Sequence, residues 1–192
     1  MPYDTRNSIE EDGWSFTKIK HFEHLSEFDC GDDDLNQFFK EDAVAHREEL
    51  LTQTYEFTDE TTDLPFPIGL VSVCNDSVDR RKIKDQDFFA GLPPEKRYPA
   101  YPAVKIARLG IHKAFHEKHL GSSMVNLIKK IFTTDNRTGC RLITVDAYNE
   151  GHHERDDRVL KFYLNNDFQF FNDKDIRQET RAMFFDLKRL NI

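Results

Sequence analysis

The densest group of side chains able to bind or react lies in Phe115-His116-Glu117-Lys118-His119-Leu120-Gly121-Ser122-Ser123, just after His112. Two chemistries compete for it. His112, His116 and His119 are spaced four and three apart, which on a continuous helix would align three imidazoles for a metal ion. The flanking pattern argues otherwise. An apolar strand pattern ends at Ile111 and a helical stripe starts near Leu120, so the three histidines fall on a strand end, a loop and a helix start. His116-Glu117-Lys118-His119 is also one residue short of the H-E-x-x-H zinc motif, and Lys118 would add a repelling charge. No metal is expected. The second chemistry belongs to the backbone. A strand-to-helix turn leaves the first helical amides unpaired at the positive end of the helix dipole, where a phosphate or pyrophosphate fits. Gly121 would let a ligand approach the main chain, and Ser122 can add a hydroxyl donor. Such turns are general in α/β proteins, so the spacing alone does not choose a ligand.

The elements that must carry this turn can be read from periodicity. Val104 to Ile111 is a strand whose apolar positions change parity, Val104 and Ile106 on one face and Leu109 and Ile111 on the other. That slip implies either a β-bulge near Ala107 to Leu109 or a strand buried on both faces. Leu120, Met124, Leu127, Ile128 and Ile131 form one stripe of a helix from about Leu120 to Phe132. Arg141 to Tyr148 follows as a strand, so Val104 to Tyr148 should be a right-handed parallel βαβ unit. Upstream, a helix opens after Gly31 with Asp32 to Asp34 as cap and first turn, and Leu35, Phe38, Phe39, Ala43, His46 and Leu50 keep its period. Thr52 to Thr58 and Pro67 to Val73 read as an antiparallel hairpin. Downstream come a short helix, Arg158 to Asn165, and strands Phe168 to Phe171 and Arg181 to Leu187. The expected fold class is α/β (α+β), a mixed and mostly antiparallel sheet around a central parallel unit. Hydrophilic stretches at 76–97 and 149–158 read as loops or insertions, and residues 1–192 as one domain.

Composition limits the functions available. The 192 residues are 38% hydrophobic with 17 Phe, enough for a substantial core despite 32% charged residues. No run approaches the ~20 apolar residues of a membrane span, and the N-terminus is polar and acidic, so a cytoplasmic protein is expected. Cys30, Cys74 and Cys140 are far apart and form no C-x-x-C pair, which excludes a disulfide framework and a structural zinc site. A formal net charge of −8 disfavours a polyanionic partner.

The order of the motifs adds a resemblance. Ala107-Arg108-Leu109-Gly110-Ile111, followed after four residues by His116 to Val125, resembles motif A of the GNAT-superfamily acetyltransferases, a bulged strand, (Gln/Arg)-x-x-Gly-x-(Gly/Ala) and a helix. His116 stands at the Gln/Arg position, His119 at the first Gly and Gly121 at the second. Phe162-Tyr163-Leu164-Asn165-Asn166-Asp167-Phe168 is similar to the family's FY-x-x-x-GF segment, with Asp167 in place of Gly. Phe28-Asp29-Cys30-Gly31 and the Leu35-to-Phe39 run resemble the opening of a branch that includes toxin acetyltransferases acting on aminoacyl-tRNA. The match spans Phe28 to Leu187.

This resemblance implies the GNAT fold and an acetyl-CoA-dependent N-acetyltransferase that moves the acetyl group directly to a primary amine. Backbone groups of Leu109, Gly110 and Ile111 would pair with the pantetheine arm. The amides of His116, Glu117, Lys118, His119, Leu120, Gly121 and Ser122 would hold the pyrophosphate, with Asn149 near the cofactor. Tyr163 matches the family's general acid. For the general base, Asp146, His112 and a water chain stay open. The acceptor stays open among aminoacyl-tRNA, a protein amine and a small metabolite amine, and a homodimer is among the expected partners. The competing reading is a non-catalytic acyl-CoA-binding module, motivated by His119 and Asp167.

Overall fold

The computed structural model describes residues 8–11, 13–59, 61, 64–83, 88, 99–118, 120–134, 136, 139–149 and 157–190. The strands among them are β1 (Ser8–Glu11), β2 (Trp14–Lys18), β3 (Gln53–Asp59), β4 (Gly69–Asp79), β5 (Ala100–Ile111), β6 (Leu142–Tyr148), β7 (Gln169–Phe170) and β8 (Thr180–Asp186). The helices are α1 (Asp33–Gln37), α2 (Ala43–Glu48), α3 (Leu120–Thr134) and α4 (Arg158–Asn165). By internal contacts the chain divides into two compact units, Met1–Cys74 with Ile106–Ile131, and Asn75–Lys105 with Phe132–Ile192. Strands β4 and β5 and helix α3 each contribute to both.

In the first unit the strand order is β1-β2-β3-β4-β5. The β1–β2 hairpin is an element that the sequence reading did not include. Its signal is the dipeptide Asp12-Gly13 followed by Trp14 and Phe16 in alternation, and Gly13 takes φ 83°. Cross-strand aromatics hold β2 to β3: Trp14 stacks on Phe57 at 4.9 Å and Phe16 on Tyr55 at 5.2 Å. The hydroxyls of Thr54 and Ser72 satisfy each other at 2.7 Å inside the sheet.

The helical arm of this unit starts where its cap was expected, Asp32 accepting from the Leu35 amide at 3.0 Å. It is not one regular helix. Residues Phe38–Asp42 form a π turn between α1 and α2, a wider turn that lets the adjacent rings of Phe38 and Phe39 both enter the core. They pack with Ile19, Leu25, Phe28, Cys30, Ala43 and Leu70. The arm ends in a Schellman motif: Leu51 N–H bonds the His46 carbonyl at 2.8 Å, Leu50 N–H bonds that of Arg47 at 3.1 Å, and Leu50 has φ 58°.

In the second unit the order is β4-β5-β6-β8-β7. β6 and β8 are antiparallel from Leu142↔Asp186 to Tyr148↔Thr180, and β7 adds Gln169↔Phe184. β5 and β6 are parallel: Arg141 N–H bonds the Pro102 carbonyl at 2.8 Å, and further along both strands Lys105 meets Asp146. The Arg141 guanidinium forks onto Asp186 at 2.7 and 2.8 Å, fixing β6 to β8 at their shared end. Val78, Ile83, Phe88, Tyr101, Ala103, Leu142, Phe171 and Phe184 make the core of this unit.

Two expectations change. The stretch from Asp76 to Arg97 was expected as loop, but β4 continues through Asp79. Asn75 and Ser77 face solvent, Val78 is buried, and the Asp76 carboxylate accepts from the Thr144 hydroxyl at 2.6 Å, so this is a half-solvated strand with loop-like composition. Most of the remainder of that stretch, and 150–156 of the second, lie outside the described residues. The parity change in β5 also falls earlier than Ala107 to Leu109. Tyr101 and Ala103 are buried at odd positions, then Val104, Ile106 and Gly110 at even ones. β4 and β5 are antiparallel, with rungs from His112 N–H to the Ile68 carbonyl and from Arg80 N–H to the Pro99 carbonyl. Between those rungs β5 carries one residue more than β4, which is the count of a β-bulge. Leu109 and Ile111 are half-buried because this end of β5 is covered on both faces.

Candidate active site

The first unit carries the turn. Leu109, Gly110 and Ile111 end β5. Gly110 is buried, and a Cβ there would stand 3.3 Å from Cys30 Cβ and Sγ and 3.4 Å from Phe39. Its missing side chain therefore serves packing against the helical arm, while its backbone belongs to the strand. On the other face Ile111 Cδ1 and Met124 Sδ crowd Gly69, within 2.7 and 2.9 Å of where its Cβ would be.

His112 follows in an aromatic enclosure, stacked on Phe66 at 4.0 Å and edge-on to Phe28 and Phe115. Its Nδ1 accepts from the Ala114 amide at 3.3 Å. Burial holds its pKa below the usual histidine value despite the nearby Asp29 carboxylate, and its other nitrogen is turned to the Glu27 backbone. A neutral imidazole with both nitrogens engaged supports the turn and has no lone pair available as a general base.

Residues Lys113–Lys118 form a 3-10 helix, opened by Phe115 N–H donating to the His112 carbonyl at 2.9 Å. His116 Nε2 bonds the Ile111 carbonyl at 2.9 Å; a carbonyl only accepts, so the proton sits on Nε2. Glu117 and Lys118 are exposed, the Lys118 ammonium lying 5.0 Å over the Phe115 ring. His119 lies outside the described residues. α3 then begins at Leu120, buried, with Gly121 and Ser122 half-buried in its first turn. A 3-10 helix pairs its amides three residues back, whereas the opening amides of an α-helix such as Leu120 and Gly121 find no carbonyl within it. Among the described residues no group of three or more His, Cys, Asp and Glu side chains could hold a metal ion.

The second unit carries Tyr163 and Asn149. Asp157 caps α4 through the Val159 amide at 2.8 Å, and Leu160 and Tyr163 form its buried face. The helix ends in a second Schellman motif: Phe168 N–H bonds the Tyr163 carbonyl at 3.0 Å and Asp167 N–H that of Leu164 at 3.0 Å. Asp167 takes φ 61°, the left-handed conformation that explains the glycine of the resembled segment. The motif's hydrophobic contact is Phe168 against Tyr163, centroids 5.3 Å apart. Tyr163 is thus held from both sides, with Phe162 edge-on at 5.0 Å. Burial raises its pKa well above the usual phenol value, so it is a neutral hydroxyl donor throughout the physiological range.

Asn149 is 1% exposed and clamps the loop between β7 and β8. Its amide donates to the Glu179 carbonyl at 2.7 Å, and Nδ2 to those of Ile176 and Gln178 at 3.0 and 2.8 Å. Its Oδ1 is buried with no hydrogen-bond partner among the described residues. Asp146 is exposed and paired with Lys105.

Sequence reasoning missed Arg181. It is 2% exposed, its guanidinium 3.6 Å from the Phe170 ring centroid and bonded to Asp175 and the Asn172 carbonyl, both at 3.3 Å.

No protein-family model matches this chain, and no curated protein matches it. Solved structures do. A single-residue variant of KacT superposes with a TM-score of 0.74 at 19% identity, covering 93% of this chain and 98% of that one. AtaT complexed with acetyl-methionyl-tRNAfMet gives 0.72 at 19% identity over 93% and 97%. AtaTR bound with AcCoA gives 0.68 at 19% over 94% and 98%. With its bulged strand, parallel β5–β6 pair and intervening helix, this chain has the GNAT fold of these structures.

Proposed function

We propose that this protein is an acetyl-CoA-dependent N-acetyltransferase acting on a primary amine. The observation that carries the reading is the passage from bulged β5 through a tight turn to the opening amides of α3. It belongs to a fold whose solved examples include one bound with AcCoA and one complexed with acetyl-methionyl-tRNAfMet.

The residues fit the cosubstrate. Leu109, Gly110 and Ile111 offer strand backbone to the amides of the pantetheine arm. The opening of α3 at Leu120 and Gly121 offers N–H groups and the helix dipole to the pyrophosphate, and exposed Lys118 adds charge. Buried Asn149 Oδ1, without a hydrogen-bond partner among the described residues, is the acceptor that Asn149 would present to the cofactor. Acetyl-CoA supplies the activated thioester. The chain's contribution is positioning and one proton: Tyr163, a neutral phenol that burial holds protonated still more firmly, donates its hydroxyl hydrogen to the departing sulfur. The amine attacks the carbonyl directly, no covalent acetyl-enzyme is formed, and the proton the amine loses passes to water, which restores the Tyr163 hydroxyl.

The acceptor to test first is aminoacyl-tRNA, by likeness to the AtaT complex, with protein and metabolite amines alongside. The protein is incubated with isotopically labelled acetyl-CoA and each acceptor pool, and labelled products are identified by mass spectrometry. Labelled amide on one pool is the expected result. Binding of acetyl-CoA without transfer to any pool would leave a non-catalytic acyl-CoA-binding module.

A further inference from the structure

The segment Phe28-Asp29-Cys30-Gly31 has no part in the chemistry above, yet it is bonded to the turn that feeds α3. Asp29 Oδ1 accepts from the Gly31 amide at 2.8 Å and from Asn36 Nδ2 at 2.9 Å, and Oδ2 from Lys113 Nζ at 2.6 Å. The Asp29 carbonyl also accepts the Lys113 amide at 2.8 Å. Asn36 turns its Oδ1 to the Cys30 amide at 2.9 Å. Gly31 has φ 78° and its missing Cβ would lie 3.8 Å from His116 Cε1. One residue, Asp29, thus ties the start of the helical arm to the first residue of the 3-10 helix, by its carboxylate and by its main-chain carbonyl.

We infer that Asp29, with Asn36 and Lys113, is a positioning clamp that sets the direction in which the opening amides of α3 meet the pyrophosphate. The inference rests on the acetyl-CoA reading. An anion site made of backbone amides works only if those amides are held in place beforehand, because loose donors lose binding energy to ordering. The Asp29–Lys113 pair is exposed, its side chains 35% and 61% accessible, so it adds little to global stability. Its effect falls on local geometry. A rival reading makes Lys113 a direct phosphate contact and Asp29 its competitor, and the two readings differ in sign.

The test is calorimetric titration of acetyl-CoA into wild type, Asp29→Asn, Lys113→Met and the double variant, with acetyl-pantetheine, which lacks the pyrophosphate, as second probe. The clamp predicts that Asp29→Asn weakens acetyl-CoA binding about two- to fivefold, the scale of one exposed ion pair. This weakening runs against simple electrostatics, which favours an anion when a carboxylate is removed. Acetyl-pantetheine affinity stays unchanged, and the double variant binds no worse than the weaker single. Equal or tighter acetyl-CoA binding by Asp29→Asn overturns the clamp, as does an equal loss with acetyl-pantetheine. If Asp29→Asn fails to fold, Lys113→Met carries the test through the same two probes together with hydrogen exchange at 113–118. Unchanged exchange there overturns the clamp, and faster exchange supports it. A wild type that binds no acetyl-CoA overturns the acetyltransferase reading and, with it, the clamp's role.

Discussion

Two irregular segments of this molecule are each tied down by an acid–base contact, in opposite dielectric surroundings. Ahead of α3, Asp29 and Lys113 meet at the surface. At the start of β8, Arg181 is withdrawn from solvent and its charge is met by Asp175 and the Asn172 carbonyl of the preceding loop and by the face of Phe170. The surface contact directs a turn and is nearly neutral for stability. The buried one is part of the core, because an unmatched charge there has no water to turn to. The same pairing of residue types therefore does different work in the two units.

Breaking the buried contact should have the largest effect. Arg181→Met leaves Asp175 with the Ala182 amide but without its cationic partner, and is expected to cost about 3–5 kcal/mol in urea unfolding. A loss under about 1 kcal/mol would mean that Arg181 behaves like a surface residue, and the contrast would collapse. Next is Tyr163→Phe, which keeps the ring between Phe162 and Phe168 and removes only the hydroxyl. Turnover should fall about a hundredfold with acetyl-CoA affinity unchanged; an unchanged rate would remove Tyr163 from the mechanism.

Smaller effects sharpen the comparison. Leu50 and Asp167 occupy the left-handed position of two Schellman motifs, and Leu50 is 91% exposed. Leu50→Gly should raise stability by about 0.5–1 kcal/mol in thermal unfolding, and Asp167→Gly by less, since aspartate tolerates that conformation better. Smallest is Lys113→Met, expected within about 1 kcal/mol of wild type. Hydrogen bonds from Lys113, Gly31 and Asn36 hold the Asp29 carboxyl well below the usual range. Its folded pKa lies below its unfolded one, so its contribution is present above about pH 4 and is lost as pH falls below that. The acid side of a melting-temperature profile should accordingly be flatter in Asp29→Asn than in wild type. An identical acid limb would show that the contact contributes nothing.

What could be read from the sequence was what depends on near neighbours. The stripe from Leu120 to Ile131, the cap at Asp32 and the helix Arg158 to Asn165 each follow from local periodicity and capping, and each is present. The sequence of strand, spacing and helix pointed to the turn even with histidines in it. Hidden features depend on distant partners or on composition that misleads. Asp29 and Lys113 are 84 residues apart. Arg181 finds Asp173 and Asp175 in a stretch that reads as polar loop. The far half of β4 is written in Asn, Asp and Ser because one of its faces is wet, and the π turn shows only as two adjacent phenylalanines that both face inward.

The extra residue in β5 has a bearing on which changes of length the chain can absorb. An in-frame loss of one codon at the bulge makes the two strands equal in count and lets both rungs be kept, whereas a gain of one codon can be matched at one end only and turns the other end over. If the Pro99 end then keeps its partner, Leu109 takes the place of Gly110 and points its side chain at Cys30 and Phe39, where not even a methyl group has room to spare. Substitutions along β5 are thus graded in their effects, whereas the outcome of a change in its length depends on its sign.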